Sequence, residues 1–129
     1  MYEYKAVITN VVDGDTFDMD IDLGFHIHIH ERVRLLDIDT PEKFGAEKKL
    51  GLLVKKYAEE NFLNKKVVIQ SKKAGTAANT DSFGRWLVKI TLEDGADICD
   101  VYNALGVNKK HSSYSEDNVL KLEALSLAK

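Results

Sequence analysis

The feature that most restricts the fold is a near-strict two-residue alternation from Phe17 to Val33. Phe17, Met19, Ile21, Leu23, Phe25, Ile27, Ile29 and Val33 share one parity, and Asp18, Asp20, Asp22, His26, His28, His30, Arg32 and Arg34 share the other. A helix would wind both sets around its axis. A strand sends successive side chains to opposite faces, so the pattern describes half-buried strands with one face in a core and one in water. The chain must reverse within this run, and Leu23-Gly24-Phe25 is the place. A two-residue loop would set aspartates against apolar residues. A three-residue loop with Gly24 left-handed keeps the faces matched and pairs Asp22 with His26, Asp20 with His28 and Asp18 with His30. Each such pair contributes roughly 0.2–1 kcal/mol when the histidine is protonated. The His-x-His-x-His spacing also has the form of metal ligands on a strand face; the facing aspartates favour a solvated, charge-paired surface.

The other elements follow from local pattern. Residues 4–12 (YKAVITNVV) read as a strand closed by a turn at Asp13-Gly14. The parity flips at Leu35-Leu36, which predicts a bulge. Residues 46–63 place Leu50, Leu53, Val54, Tyr57, Ala58 and Phe62 on the inner face of an amphipathic helix with lysines outside. Strands are expected at 66–71 and 85–92, separated by a polar loop over 72–82, with a turn at Asp94-Gly95. A short helix from Ile98 to Leu105 ends at Gly106. After a polar loop at 107–116, a last helix from Val119 to Lys129 is expected to turn Leu120, Ala124, Leu127 and Ala128 inward. Five strands with a helix between the third and fourth make an α+β fold, a small closed five-stranded barrel of the OB type with three helices. At 129 residues the chain is read as one domain, 1–129.

Cys99 is the single cysteine, which excludes an intramolecular disulfide and a cysteine-rich zinc site. No apolar run approaches the roughly 20 residues that span a bilayer, so no membrane partner is expected. Met1 to Asn10 lacks the pattern of a secretory leader, which leaves a cytoplasmic protein or the mature form of a secreted one. The net charge of −3 argues against a nonspecific nucleic-acid binder. Its distribution is uneven: residues 1–42 carry a net −7, residues 43–73 a net +6 and residues 74–129 a net −2. A cation site beside an anion-attracting surface would have this form, as would a helix with a solvated lysine face.

Three stretches concentrate chemistry at turns and strand ends: DGDT (Asp13–Thr16), RLLDIDTPE (Arg34–Glu42) and DSFGR (Asp81–Arg85). Carboxylates with a backbone carbonyl bind a hard cation. Arginine forks bind phosphate bidentately. A spare carboxylate near a metal can position and deprotonate water. Phosphodiester hydrolysis needs this combination. Asp15 and Arg34 fall on opposite parities, so a bulge or strand end must bring them together.

With VVDGDTF, VRLLDIDTPE and DSFGR in this order, the chain resembles the staphylococcal nuclease (thermonuclease) family from about Lys5 to Leu127. The resemblance implies calcium bound by Asp15, Asp39 and the Thr40 carbonyl, phosphate contacts from Arg34 and Arg85, and Glu42 as the residue that orients or deprotonates the attacking water. It also implies cleavage of DNA and/or RNA that leaves 3′-phosphate ends. Phe83 stands where the family often has tyrosine, and Ser82 where it often has lysine. The two base-stacking tyrosines map onto Ser112 and Tyr114, so Phe83 and Tyr114 are the expected nucleotide contacts. The loop after Glu42 is shorter than in well-known members. With one stacking position missing and an acidic chain, weaker and more salt-sensitive substrate binding is expected. The expected partner is a nucleic acid, preferably single-stranded, acted on by a monomer with no obligate protein partner. The competing readings are a non-catalytic OB-fold module that binds single strands and a protein–protein adaptor on the same barrel; retention of Asp15, Arg34, Asp39, Glu42 and Arg85 favours the enzyme.

Overall fold

In a computed structural model, residues 2–71 and 85–127 are described. The strands are β1 (Tyr2–Asp13), β2 (Thr16–Asp22), β3 (His28–Leu35), β4 (Lys66–Ser71) and β5 (Trp86–Leu92). The helices are α1 (Lys48–Phe62), preceded by a short 3-10 turn at Gly45–Glu47, then α2 (Ile98–Leu105) and α3 (Glu116–Leu127). The strands close a barrel in the order β1-β2-β3-β5-β4, with β3 and β5 parallel and every other pairing antiparallel. β1 pairs with both β2 and β4, and register shifts between Ile8 and Asn10 and between Val11 and Asp13 bend it around the barrel. The α+β barrel with three helices expected from the pattern is the fold observed. No described helix is long and apolar enough to cross a membrane.

The inward parity fills the barrel. Phe17, Met19, Val33, Leu35, Ile69 and Ile90 are all buried. α1 packs on β1 and seals the interior with Val54, Ala58 and Phe62. The Phe62 ring meets Phe17, Tyr57 and Tyr102 at centroid distances of 6.4, 5.9 and 6.0 Å. Such aromatic contacts add to the transfer of apolar area from water that drives burial.

Four expectations are corrected. The β2–β3 loop has five residues, Leu23–Ile27, closed by Leu23 N–H to the Ile27 carbonyl at 2.9 Å and Ile27 N–H to the Gly24 carbonyl at 2.9 Å. Gly24, Phe25 and His26 are all left-handed, at φ 82°, 56° and 63°. The register therefore moves by two residues: Asp22 faces His28, Asp20 faces His30 and Asp18 faces Arg32. Parity survives a two-residue slip, so Phe17, Met19, Ile21 and Val33 face inward as expected while the partners change. Leu23, Phe25, Ile27 and Ile29, expected on the same core face, are instead exposed at the loop end of the hairpin. The change gives Asp18 two hydrogen bonds from Arg32, at 2.7 and 3.2 Å. The His28 ring meets Asp20 at 3.0 Å. At Leu35-Leu36 the strand ends rather than bulges: Leu36 N–H donates to the Val88 carbonyl at 2.9 Å, and Asp37 turns the chain at φ 62°. α3 starts at Glu116 and buries Val119 and Leu122 against α1, leaving Leu120 and Ala124 exposed. Both stripes have helical spacing, and the position of α1 selects between them. The Leu127 side chain and Ala128 lie outside the described residues, as does the expected 72–82 loop.

Gly51, in the first turn of α1, lets the Glu42 segment lie directly on the helix. A Cβ there would stand 2.1 Å from the Glu42 carbonyl oxygen and 2.5 Å from the Lys43 nitrogen. Alanine in place of glycine inside a helix ordinarily gains about 1 kcal/mol. Gly51→Ala is expected to lose about 1–3 kcal/mol net in urea denaturation, because backbone atoms must separate. A gain in stability would show that the loop does not rest on the helix.

Candidate active site

The site begins at the turn between β1 and β2. The Asp13 side chain accepts the Asp15 N–H at 3.1 Å, a local Asx-type closure. Gly14 must lack a side chain, since a Cβ would stand 2.4 Å from Val54 Cγ1 and 2.8 Å from Thr40 Oγ1. From α2 the buried Tyr102 hydroxyl donates to the Gly14 carbonyl at 2.6 Å. Burial pushes that phenol well above its ordinary range and keeps it a donor. Asp15 thus belongs to the turn and not to the alternating strand. Its carbonyl accepts the Leu35 N–H at 2.9 Å, one step beyond the Thr16–Arg34 pair of the β2–β3 ladder. The parity conflict between Asp15 and Arg34 is resolved in this way.

Five of the residues singled out from the sequence form one connected set. Asp15 Oδ2 accepts from Arg34 Nη2 at 3.2 Å and from the Thr40 N–H at 3.1 Å. The same Arg34 Nη2 donates to Asp39 Oδ1 at 3.4 Å. Thr16 Oγ1 donates to Asp15 Oδ1 at 3.1 Å and accepts from Arg85 Nη1 at 3.3 Å. Asp15, Arg34, Thr40, Glu42 and Arg85 line one cleft of about 670 Å³. Glu42 is exposed there, its carboxylate without a side-chain partner among the described residues. Tyr114 lies apart from the cleft lining, half-buried near the Glu47–Lys109 ion pair. Phe83 lies outside the described residues.

The structure adds residues that sequence reasoning did not place here. Arg32 and Phe44 line the same cleft. Arg32 could have been found, since it is two residues from Arg34 on one strand and shares its face. Asn108, only 2 % exposed, lies in what the sequence offers as a polar loop. Its Oδ1 accepts the Asp39 N–H at 3.0 Å and the Lys110 N–H at 3.1 Å. Its Nδ2 donates to the Asp37 carbonyl at 3.1 Å and to Asn103 Oδ1 at 2.9 Å. The Lys109 N–H adds a bond to the Asp39 carbonyl at 2.7 Å. Asp39 is therefore fixed by a segment about seventy residues away, a relation without periodicity and so without a sequence signal.

Asp15 is 6 % exposed, and its carboxyl is pushed up from 3.8 to about 6. Burial is the largest cause, followed by the hydrogen bond and charge of Asp13; Arg34 and the Thr40 amide pull the other way and do not balance them. Two carboxylates, Asp15 and Asp39, converge on one guanidinium nitrogen and bring hard oxygens close together. This set suits a hard divalent cation that keeps water in its shell. Among the described residues no group of three or more His, Cys, Asp or Glu side chains is placed to hold a metal ion, so a cation here would rest on two carboxylates with backbone oxygen and water.

The sign of the Asp15 effect is definite. A carboxyl raised in the folded state contributes most below pH 3.8 and loses that contribution as the pH rises through about 6. At pH 7.5 in chelator, Asp15→Asn is expected to raise stability by about 1–3 kcal/mol, the gain fading toward pH 4. Thermal denaturation across that range measures it; a variant less stable at pH 7.5 than at pH 4, relative to the parent, would contradict the assignment.

The sequence profile described as staphylococcal nuclease homologue matches residues 32–127. The match takes in Arg34, Asp39, Thr40, Glu42 and Arg85, and it starts after the Asp15 turn. A search of the curated proteins finds no match. With about three quarters of the chain matched and a closed five-stranded barrel carrying the site, the protein belongs to the staphylococcal nuclease homologue family.

Proposed function

We propose that this protein is a calcium-dependent nuclease that hydrolyses phosphodiester bonds of DNA and/or RNA by in-line attack of water, leaving 3′-phosphate ends. The observation that carries the reading is the single Arg34 nitrogen shared by Asp15 and Asp39, with Arg34 and Asp15 lining a cleft beside Glu42 and Arg85, and Asp39 outside its lining. Calcium held by Asp15, Asp39 and the Thr40 carbonyl would neutralise charge on a non-bridging phosphate oxygen. Glu42, exposed and unpaired among the described residues, takes a proton from the attacking water. The water oxygen bonds to phosphorus as the P–O5′ bond breaks; the electron pair leaves on the 5′ oxygen, which is protonated from solvent. Arg34 spends its Nη2 hydrogens on the two aspartates and keeps Nε and Nη1 for the equatorial phosphate oxygens. Arg85 is the second donor to the developing charge. Phe83 and Tyr114 are carried in this proposal as nucleotide contacts, with the 129 residues acting as one monomeric domain on single strands.

Release of acid-soluble product from heat-denatured DNA tests the reading. Product is expected in calcium and not in chelator. Glu42→Gln is expected to lower the rate by about 10²–10⁴-fold while strand binding persists. Strand binding by the parent protein in calcium, with no product, would overturn catalysis in favour of a non-catalytic OB-fold binding module.

A further inference from the structure

Eight large apolar side chains are exposed among the described residues, and one of them lines the arginine cleft. This is Phe44, 66 % exposed, on the same wall as Glu42 and in the same cleft as Arg34 and Arg85. Its backbone is extended, at φ −143° and ψ 167°, and it is held from both sides. Before it, Lys43 Nζ donates to the Val12 carbonyl at 2.7 Å, and the Glu42 backbone rests on Gly51. The Glu42 N–H donates to Glu47 Oε1 at 3.4 Å, and the Glu47 carboxylate is itself held by Lys109 at 3.0 Å. After it, Gly45 turns the chain at φ 71° into the 3-10 turn.

We propose that Phe44 is a nucleobase-stacking wall of the cleft, a binding residue distinct from the stacking positions Phe83 and Tyr114. The inference rests on the nuclease reading and deepens it. Guanidinium groups recognise phosphate, and a free phosphate would leave the ring in water. A phosphodiester with an unpaired base beside it engages both the arginines and the ring. A phenyl face has no hydrogen-bond donor or acceptor, so it accepts any base and rejects none by pattern. Because the segment is tied down before binding, little ordering cost remains to be met when the base arrives.

The test uses the full chain as Glu42→Gln, in calcium, so that the strand is not consumed. Fluorescence anisotropy compares a short single-stranded oligodeoxynucleotide with the same backbone made abasic. Glu42→Gln protein is expected to prefer the base-bearing strand. Adding Phe44→Ala is expected to shrink that preference by roughly 5–150-fold, the range that one stacked base supplies. Binding of the abasic strand and the melting temperature are expected to stay unchanged, and Phe44→Trp is expected to restore the preference. An unchanged preference in Phe44→Ala, or a preference absent from the start, would overturn the stacking role and leave the nuclease reading standing. Binding of neither strand would overturn both.

Discussion

The Arg34 guanidinium is where the β1–β2 turn and the segment after β3 are drawn together, and the rest of the site depends on it. One nitrogen bridges Asp15, from the β1–β2 turn, and Asp39, from the segment after β3. The bridge exists because Thr16 and Arg34 are register partners at the end of the β2–β3 ladder. At that point the strands run out and side chains are free to point across the barrel rim. Backbone groups are matched there too: Asp15 accepts from Leu35 N–H through its carbonyl and from Thr40 N–H through its carboxylate. A rigid barrel thus holds functional groups at its rim, where loops can be shaped without loss of the core.

Besides the Arg34 ion pairs, neutral hydrogen bonds to the backbone fix the segments that carry these carboxylates. Asn108 grips Asp39 and Asp37 from the α2–α3 connection, and Tyr102 grips the Gly14 carbonyl from α2. Glycines at 14 and 51 remove the side chains that would hold the turn and the Glu42 segment away from α1. These contacts are buried and directional, and losing one partner strands the other without water. Burial and the neighbouring Asp13 outweigh Arg34 and the Thr40 amide at Asp15, and its carboxyl is pushed up to about 6.

Much of this was legible in the sequence, for physical reasons. Period-two alternation reports the buried face of β2 and the end of β3, but not of Leu23, Phe25, Ile27 and Ile29, which keep the apolar parity and are exposed where the hairpin runs past the core. Gly106 after Leu105 marks a helix end, and the chain turns there at φ 74°. The length of the β2–β3 loop was not legible, because three-residue and five-residue loops preserve the same parity. The inner face of α3 was not legible either, since Val119/Leu122 and Leu120/Ala124 are both at helical spacing and only α1 chooses. In the site, the stretches Asp13–Thr16, Arg34–Glu42 and Asp81–Arg85 stood out by residue type, while the choice of Asp15, Arg34, Asp39, Thr40, Glu42 and Arg85 within them came from the family resemblance. Asn108 did not stand out, since its hold on Asp39 comes from a distant segment that meets it only in space.

The central claim is that Asp15 and Asp39 serve one divalent ion. A double-mutant cycle on calcium affinity, measured calorimetrically with Asp15→Asn, Asp39→Asn and the double variant, addresses it most directly. The account predicts that each single change weakens binding and that the pair is coupled, the double variant departing from the sum by more than about 0.5 kcal/mol. Affinity untouched by either change, or losses that simply add, would place the two carboxylates at different sites and contradict it.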